Sequence, residues 1–489
     1  MTGPGPIPSP ISRRRVLSGM GGGLAAFSAF TVLPPLARAR GNIRDYRLKA
    51  APATVPLVGT QGPATDVWAY NGGVPGPVIR AKRGERLRIH VENALPQPTT
   101  VHWHGIRLPV GMDGVPFLTQ PPIKPGESFV YEFDVEDAGT FWYHPHFNSS
   151  EQVARGLSGP LIVDEDTPPD VDREILWVVD DWRLTEDAAI ASFDRPFHDM
   201  VHGGRFGNTV TVNGRISEDL AVTPGERVRL RIVNVANARI FRLTFPGHRP
   251  WLAAIDGHAV PPRQFGEEDW LVIAPGARAD LILDMTGEPG ERFAVVDNSP
   301  EGIRYRLADL TYGAAPSAPA PARPAPVTWA ANPLPEPDLG TATRLSLDME
   351  GGAMGGLQTA MFMGEKLSGR DLARNHGMFW SFNGIVYPPM KYGHHGDPMF
   401  SFKRGESVVM TIRNKTAFAH PIHLHGHTFR VISRDGKPEP DRPWQDTVLL
   451  PIDGEAEIAF VADNPGDWMF HCHILEHQKS GMMGYVKVV

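Results

Sequence analysis

Three stretches of this chain share one alternating pattern. They are Arg83-Gly84-Glu85-Arg86-Leu87-Arg88-Ile89-His90-Val91-Glu92-Asn93, Pro224-Gly225-Glu226-Arg227-Val228-Arg229-Leu230-Arg231-Ile232-Val233-Asn234 and Arg404-Gly405-Glu406-Ser407-Val408-Val409-Met410-Thr411-Ile412-Arg413-Asn414. Each passes from a Gly-Glu turn through an alternating segment to an asparagine. A period of two predicts a β-strand. Residues from about 41 to 165 are short β-branched and aromatic runs broken by turns such as Val74-Pro75-Gly76-Pro77. That is the pattern of a β-sandwich, and no long amphipathic helix stands out in this region.

A second repeat joins only the first and last copies. Gly139-Thr140-Phe141-Trp142-Tyr143-His144-Pro145-His146 aligns with Gly466-Asp467-Trp468-Met469-Phe470-His471-Cys472-His473, with Pro145 where Cys472 stands. After the asparagine, the first copy leads to His102 and the third to His420. The second leads to Asn237-Ala238-Arg239-Ile240-Phe241-Arg242, with no ligand-type pair. The repeats predict three related sandwich domains, with metal chemistry in the first and third and a structural spacer between them. Length gives the same prior of roughly three domains. The expected divisions are an export signal at 1–40, a first domain at 41–165 and a second at 166–313. An Ala/Pro-rich semi-rigid linker at 314–340, needing no function of its own, precedes a third domain at 341–489.

Composition adds three constraints. The 51 glycines and 48 prolines favour a turn-rich all-β chain. A net charge of −7 with a pI near 6.3 argues against a nucleic-acid partner. A single cysteine rules out an intramolecular disulfide. At the N-terminus, Ser12-Arg13-Arg14-Arg15-Val16-Leu17 resembles a twin-arginine export signal. The stretch from Gly19 to about Leu33 is too short and glycine-rich to span a membrane, and Ala37-Arg38-Ala39 offers a cleavage site. The expectation is a periplasmic or secreted protein with no membrane anchor after cleavage.

The chemistry concentrates at the C-terminus, in His471-Cys472-His473-Ile474-Leu475-Glu476-His477-Gln478-Lys479-Ser480-Gly481-Met482. On a strand, His471 and His473 point to one face and Cys472 to the other, so one segment can serve two metal centres. Cys472, His477 and Met482, with one histidine from His420-Pro421-Ile422-His423-Leu424-His425, make the set of a blue copper site. Four His-x-His pairs, His102/His104, His144/His146, His423/His425 and His471/His473, use eight of the nineteen histidines. Eight imidazoles without a carboxylate suit copper better than magnesium, calcium or manganese, and zinc would not explain the adjoining Cys/His/His/Met set. Met349, Met354, Met361 and Met363 lie among glycines and read as an adaptable loop, with Cu(I) binding as the sharper alternative. The other nine histidines, including His394-His395 and His427, read as surface or ordinary polar residues.

With all four histidine motifs in place, the sequence resembles a three-domain multicopper oxidase of the laccase group over essentially its whole mature length. The resemblance implies three cupredoxin-like Greek-key sandwiches and four copper ions. A type 1 copper would take His420, Cys472, His477 and axial Met482, and a type 2 copper His102 and His423. A type 3 pair would take His104, His144, His146, His425, His471 and His473. The implied reaction is one-electron oxidation of a small reductant (a phenol, an aromatic amine or Cu(I)) coupled to reduction of O2 to water. Cys472 carries the electron entry. Asp113, in Gly111-Met112-Asp113-Gly114, matches an acidic residue near the trinuclear cluster. Gln478 stands where several bacterial relatives carry a proton-relaying glutamate, which leaves water or Glu476 for that role. Cuprous oxidases of the family place an Asp and a Met before the first type 1 histidine. Thr416-Ala417-Phe418-Ala419-His420 has neither, which favours the laccase reading over copper tolerance.

Overall fold

The computed structural model of the chain describes residues 42–194, 196–216, 219–298, 302–314, 323–388 and 396–489. The expected export signal and His394-His395 lie outside the described residues. The fold is all-β, and the three repeated segments are its organising strands. Arg86–Asn93 lies parallel to Ile43–Val55 and antiparallel to Ser128–Asp134. Arg227–Asn234 lies parallel to Arg173–Trp182 and antiparallel to Arg278–Asp284. Glu406–Asn414 lies parallel to Thr343–Gly351 and antiparallel to Glu455–Ala462. One topology thus occurs three times, each time facing a second sheet, in cupredoxin-like sandwiches.

The repeated residues explain why. Gly84, Gly225 and Gly405 have φ of +85°, +79° and +85°, a region glycine enters without steric cost. The following glutamate closes the turn by accepting a backbone N–H three residues back: Lys82 N to Glu85 at 2.8 Å, Thr223 N to Glu226 at 3.1 Å and Lys403 N to Glu406 at 2.9 Å. The asparagine then pins the next loop. Asn93 donates to the carbonyls of Gln97 and Ile123, Asn234 to those of Arg239 and Ile273, and Asn414 to those of Phe418 and Pro451. Each asparagine is buried, so these bonds satisfy an amide that would otherwise be costly.

The first and last sandwiches share a continuous apolar core running through Leu87, Ile89, Trp103, Ile412, Ile422 and Phe470. The middle sandwich has its own, around Leu230, Ile232, Leu281 and Leu310. The connecting segment does more than span. Arg323 pairs with Asp172, Trp329 lies 4.1 Å from the Arg229 guanidinium, and Asn332 bonds both N–H and C=O of Ala138. The linker, expected to carry no role, straps the first two sandwiches together. No helix among the described residues is long and apolar enough to cross a membrane.

Candidate metal centre

The strand His102–His104 pairs with Gly139–His144, placing His102 opposite His144. The strand His420–Leu424 pairs with Gly466–Cys472, placing His423 opposite His471 and Ile422 opposite Cys472. Both pairings abut where the first and last sandwiches share their core. The eight paired histidines therefore meet at one buried place. His102 stacks on His425 at 3.8 Å and His104 on His423 at 3.8 Å, each stack joining a first-sandwich ring to a third-sandwich ring. His473 lies 4.9 Å from His104, and His146 lies 5.2 Å from His471.

Hydrogen bonds decide which nitrogen is free in six of the eight rings. A ring N–H facing a carbonyl must be the protonated one, so the other nitrogen carries the lone pair. His102, His144, His423 and His471 donate from Nδ1 to the carbonyls of Asp113, Pro145, Asp446 and Cys472 at 2.8, 3.1, 2.8 and 2.9 Å. His425 donates from Nδ1 to the Asp113 carboxylate at 2.9 Å, and His104 from Nε2 to Asp446 at 3.1 Å. The nitrogens left over, His102 Nε2, His104 Nδ1, His144 Nε2 and His423 Nε2, are buried without a partner, and so are Nδ1 and Nε2 of His473. The two Nε2 atoms of His425 and His471 face each other at 3.1 Å. Inward-facing lone pairs without donors fit a bound cation.

Burial also sets the protonation. It holds His104, His144, His146, His425, His471 and His473 well below the ordinary imidazole pKa, and neighbouring histidines add to the shift. Neutral imidazoles are the form that binds a metal.

On the other face of the same strand, Cys472 Sγ lies 3.5 Å from His420 Nδ1 and 3.7 Å from His477 Nδ1, and the two nitrogens are 3.1 Å apart. Thr416 Oγ binds the far side of His420 at 2.7 Å, and His477 Nε2 donates to the His202 carbonyl at 2.5 Å. Burial lowers His477 to about 3 and pushes the Cys472 thiol up, so the thiolate needs a cation beside it. Met482 is fully buried. Its backbone N–H bonds His477 and its carbonyl accepts from Cys472, both at 3.0 Å, which seats it beside them. A thiolate, two imidazoles and a thioether form a donor set that suits copper.

Some neighbours had no signal in the sequence. Asp446 accepts from His104 and lies 3.4 Å from His423 Nδ1, while Arg278 of the middle sandwich grips both its oxygens at 2.8 and 2.6 Å. Although burial opposes it, Arg278 holds the Asp446 carboxyl well below its usual range. Its oxygens are so occupied that Asp446 is an orienting group, despite lying close enough to be counted with the possible ligands. Asp256 completes the set by accepting the N–H groups of Asp446 and Thr447. The middle sandwich, expected to be a spacer, thus supports both clusters, through Arg278 and His202.

Two other expectations change. His427 is buried, against Trp468 and Phe460, and so are His248 and His258. These are core histidines rather than surface ones. Glu476, the alternative relay, is turned away toward Asn237 and the Arg205 backbone. Gln478 lies between Ser149 at 2.9 Å and His146 Nε2 at 3.3 Å. Gly114, with φ of +83°, leaves no room for a Cβ beside the Val101 carbonyl, so the Asp-Gly turn is tight and Asp113 is aimed inward.

Models of multicopper oxidase domains match residues 54–168, 175–314 and 371–489. The multicopper oxidase MmcO of Mycobacterium tuberculosis is 31% identical over 95% of this chain and 90% of its own. The chain belongs to the multicopper oxidase family. It is a copper-dependent oxidoreductase with O2 as acceptor. Among solved structures, a multi-copper oxidase from Pseudomonas thermotolerans is 36% identical, with a TM-score of 0.78 over 92% of this chain and 100% of the other. A laccase-like multi-copper oxidase, CueO, from Ochrobactrum is 27% identical, with a TM-score of 0.75 over 92% and 99%.

Proposed function

We propose that this oxidase is laccase-like: it oxidises phenols or aromatic amines one electron at a time and reduces O2 to water with four copper ions. The observation that carries the reading is the pair of buried donor sets on opposite faces of one strand. Cys472, His420, His477 and Met482 would hold a type 1 copper. His102 and His423 would hold a type 2 copper, and His104, His144, His146, His425, His471 and His473 a type 3 pair. When bound, copper supplies the one-electron steps that spin-restricted O2 and a closed-shell phenol cannot make unaided.

The chain supplies the rest. Strand geometry puts Cys472 one residue from His471 and His473, so a covalent path joins the two sites. Hydrogen bonds donated by six of the rings to oxygens of Asp113, Asp446, Pro145 and Cys472 fix their orientation. Burial excludes water from both donor sets. Asp113 sits between His425 and His102, where a carboxylate can hold a proton for the nascent water. The domains are read as 41–165, 166–313 and 341–489, with export to the periplasm or beyond by the twin-arginine sequence.

The Ochrobactrum oxidase is described as active on lignin model compounds and lignosulfonate, which supports an organic reductant. A cuprous oxidase serving copper tolerance is the second reading, favoured by the exposure of Met354, Met361 and Met363. Oxygen uptake tests both, with a methoxyphenol or Cu(I) as reductant and excess Cu(II) present or absent. Phenol turnover independent of added Cu(II) supports the first reading. Fast Cu(I) turnover, with phenol oxidation only when Cu(II) is added, overturns it in favour of the second.

A further inference from the structure

The edge of His477 is not open to a substrate. Its ring is fully buried, Trp380 lies against it at 4.3 Å, and its outer nitrogen is spent on the His202 carbonyl. A phenol therefore cannot hydrogen-bond to this histidine. What reaches the surface beyond it is His202 itself, from the middle sandwich.

His202 stacks on His198 with ring centroids 4.1 Å apart and planes 12° from parallel. Its Nδ1 donates to the His198 carbonyl at 3.0 Å, which fixes the ring. The His198 side chain is 77% exposed, so its outer face is an open π surface. Beside it, Phe197 is 64% exposed and meets Phe379 edge-on at 5.5 Å, while Phe418 flanks His202 at 5.8 Å. The short helix Phe197–Val201, which carries Phe197 and His198 and leads into His202, is anchored to the third sandwich. Trp380 Nε1 donates to the Met200 carbonyl at 2.6 Å, and Ala353 N to the Val201 carbonyl at 2.8 Å. Arg183 holds Asp199 from within the middle sandwich. The surface is thus aromatic, rigid and one hydrogen bond from the Cys/His site.

Building on the oxidase reading above, we propose that aromatic reductants dock on the His198–His202 ring stack, and that their electrons enter through His202 and its carbonyl bond to His477. A planar ring gains from stacking on an exposed ring face. Each phenol gives up one electron and its hydroxyl proton and leaves as a phenoxyl radical. The proton passes to water at this exposed face. Four such losses balance the uptake of four electrons and four protons by one O2 to give two waters.

The test uses the copper-loaded protein, with kcat/KM for a methoxyphenol and the anaerobic rate at which that phenol bleaches the blue absorption. His198→Ala is expected to lower both roughly three- to tenfold, the worth of one aromatic stack, mainly through KM. The blue band itself and its potential should not move. His198→Phe keeps a ring and should stay at the wild-type value. An alanine variant equal to wild type overturns the proposal. So does a phenylalanine variant that falls with the alanine one, because the nitrogen would then be the contact, as for a bound cuprous ion. If the wild type does not oxidise the phenol at all, the laccase-like reading fails along with the docking site, before any variant is compared.

Discussion

His425 Nε2 and His471 Nε2 face each other at 3.1 Å, and neither carries a proton to share. Each ring spends its N–H on the opposite side, His425 on the Asp113 carboxylate and His471 on the Cys472 carbonyl. Two lone pairs converging on one point form an arrangement suited to a single cation shared between the two rings.

Copper should stabilise the fold strongly. A ligand at a thousand times its Kd adds about 4 kcal/mol, so the copper-loaded protein should melt well above the metal-free one in calorimetry. Equal melting temperatures would mean that the apposed histidines do not bind the metal.

Asp446→Asn should damage the proposed trinuclear site selectively. It weakens the acceptor of His104 and removes the carboxylate that grips the buried Arg278 most closely, leaving Asp256 at 3.5 Å as its nearest ion-pair partner. Losing such a support typically costs ten- to a hundredfold in metal affinity or activity. Copper per chain and the type 2 electron paramagnetic resonance signal should fall while the blue absorption persists. A fully loaded, fully active variant would remove Asp446 from this role.

Asp113→Asn should slow oxygen reduction without blocking electron entry. Anaerobic bleaching of the blue band should keep its rate, whereas reoxidation by O2 should slow roughly a hundredfold, the scale of a lost proton donor. Unchanged reoxidation would leave Asp113 as a turn residue that orients histidines.

The Cys/His site makes two spectroscopic predictions. Cys472→Ser should abolish the blue absorption, since the thiolate is its source. Met482→Leu should raise the potential by removing a weak axial donor. A redox titration that shows no change would place Met482 outside the coordination sphere.

Acid should destabilise the protein through His258. Burial lowers its pKa to about 4, and its Nδ1 faces Asn332 at 3.0 Å. The unfolded chain, with an ordinary imidazole near 6.5, binds that proton first as pH falls. The stabilisation is full above about pH 6.5 and is lost as pH falls toward 4, at up to about 1.4 kcal/mol per pH unit. His258→Gln keeps a hydrogen-bonding side chain without a titrating charge and should flatten the acid limb of a stability-versus-pH curve. An unchanged slope would assign the acid lability to other groups.

Much of this molecule could be read along the chain. The Gly-Glu-strand-Asn repeat carries its own turn, cap and loop anchor, all within reach of local geometry, so three copies in sequence became three equivalent strands. The His-x-His pairs were legible because a period of two puts both rings on one face. The same period sent Cys472 to the opposite face, and the structure keeps that separation.

Groups that act only across domain boundaries left no such trace. Asp446, Arg278 and Asp256 are distant in sequence and have no shared spacing, and they meet because three sandwiches pack together. His202 looked like any other polar histidine until folding put its carbonyl on His477. His427 and His258 read only as surface or ordinary polar residues in the sequence, because one imidazole in a polar stretch says nothing about burial. The sequence by itself determined the donor chemistry and the repeated strand, since both are set by residue type and a short period. Only the tertiary structure decided which nitrogen is free in the hydrogen-bonded rings, what shields His477 and which rings are exposed beyond it, because those depend on contacts between segments that no local pattern links.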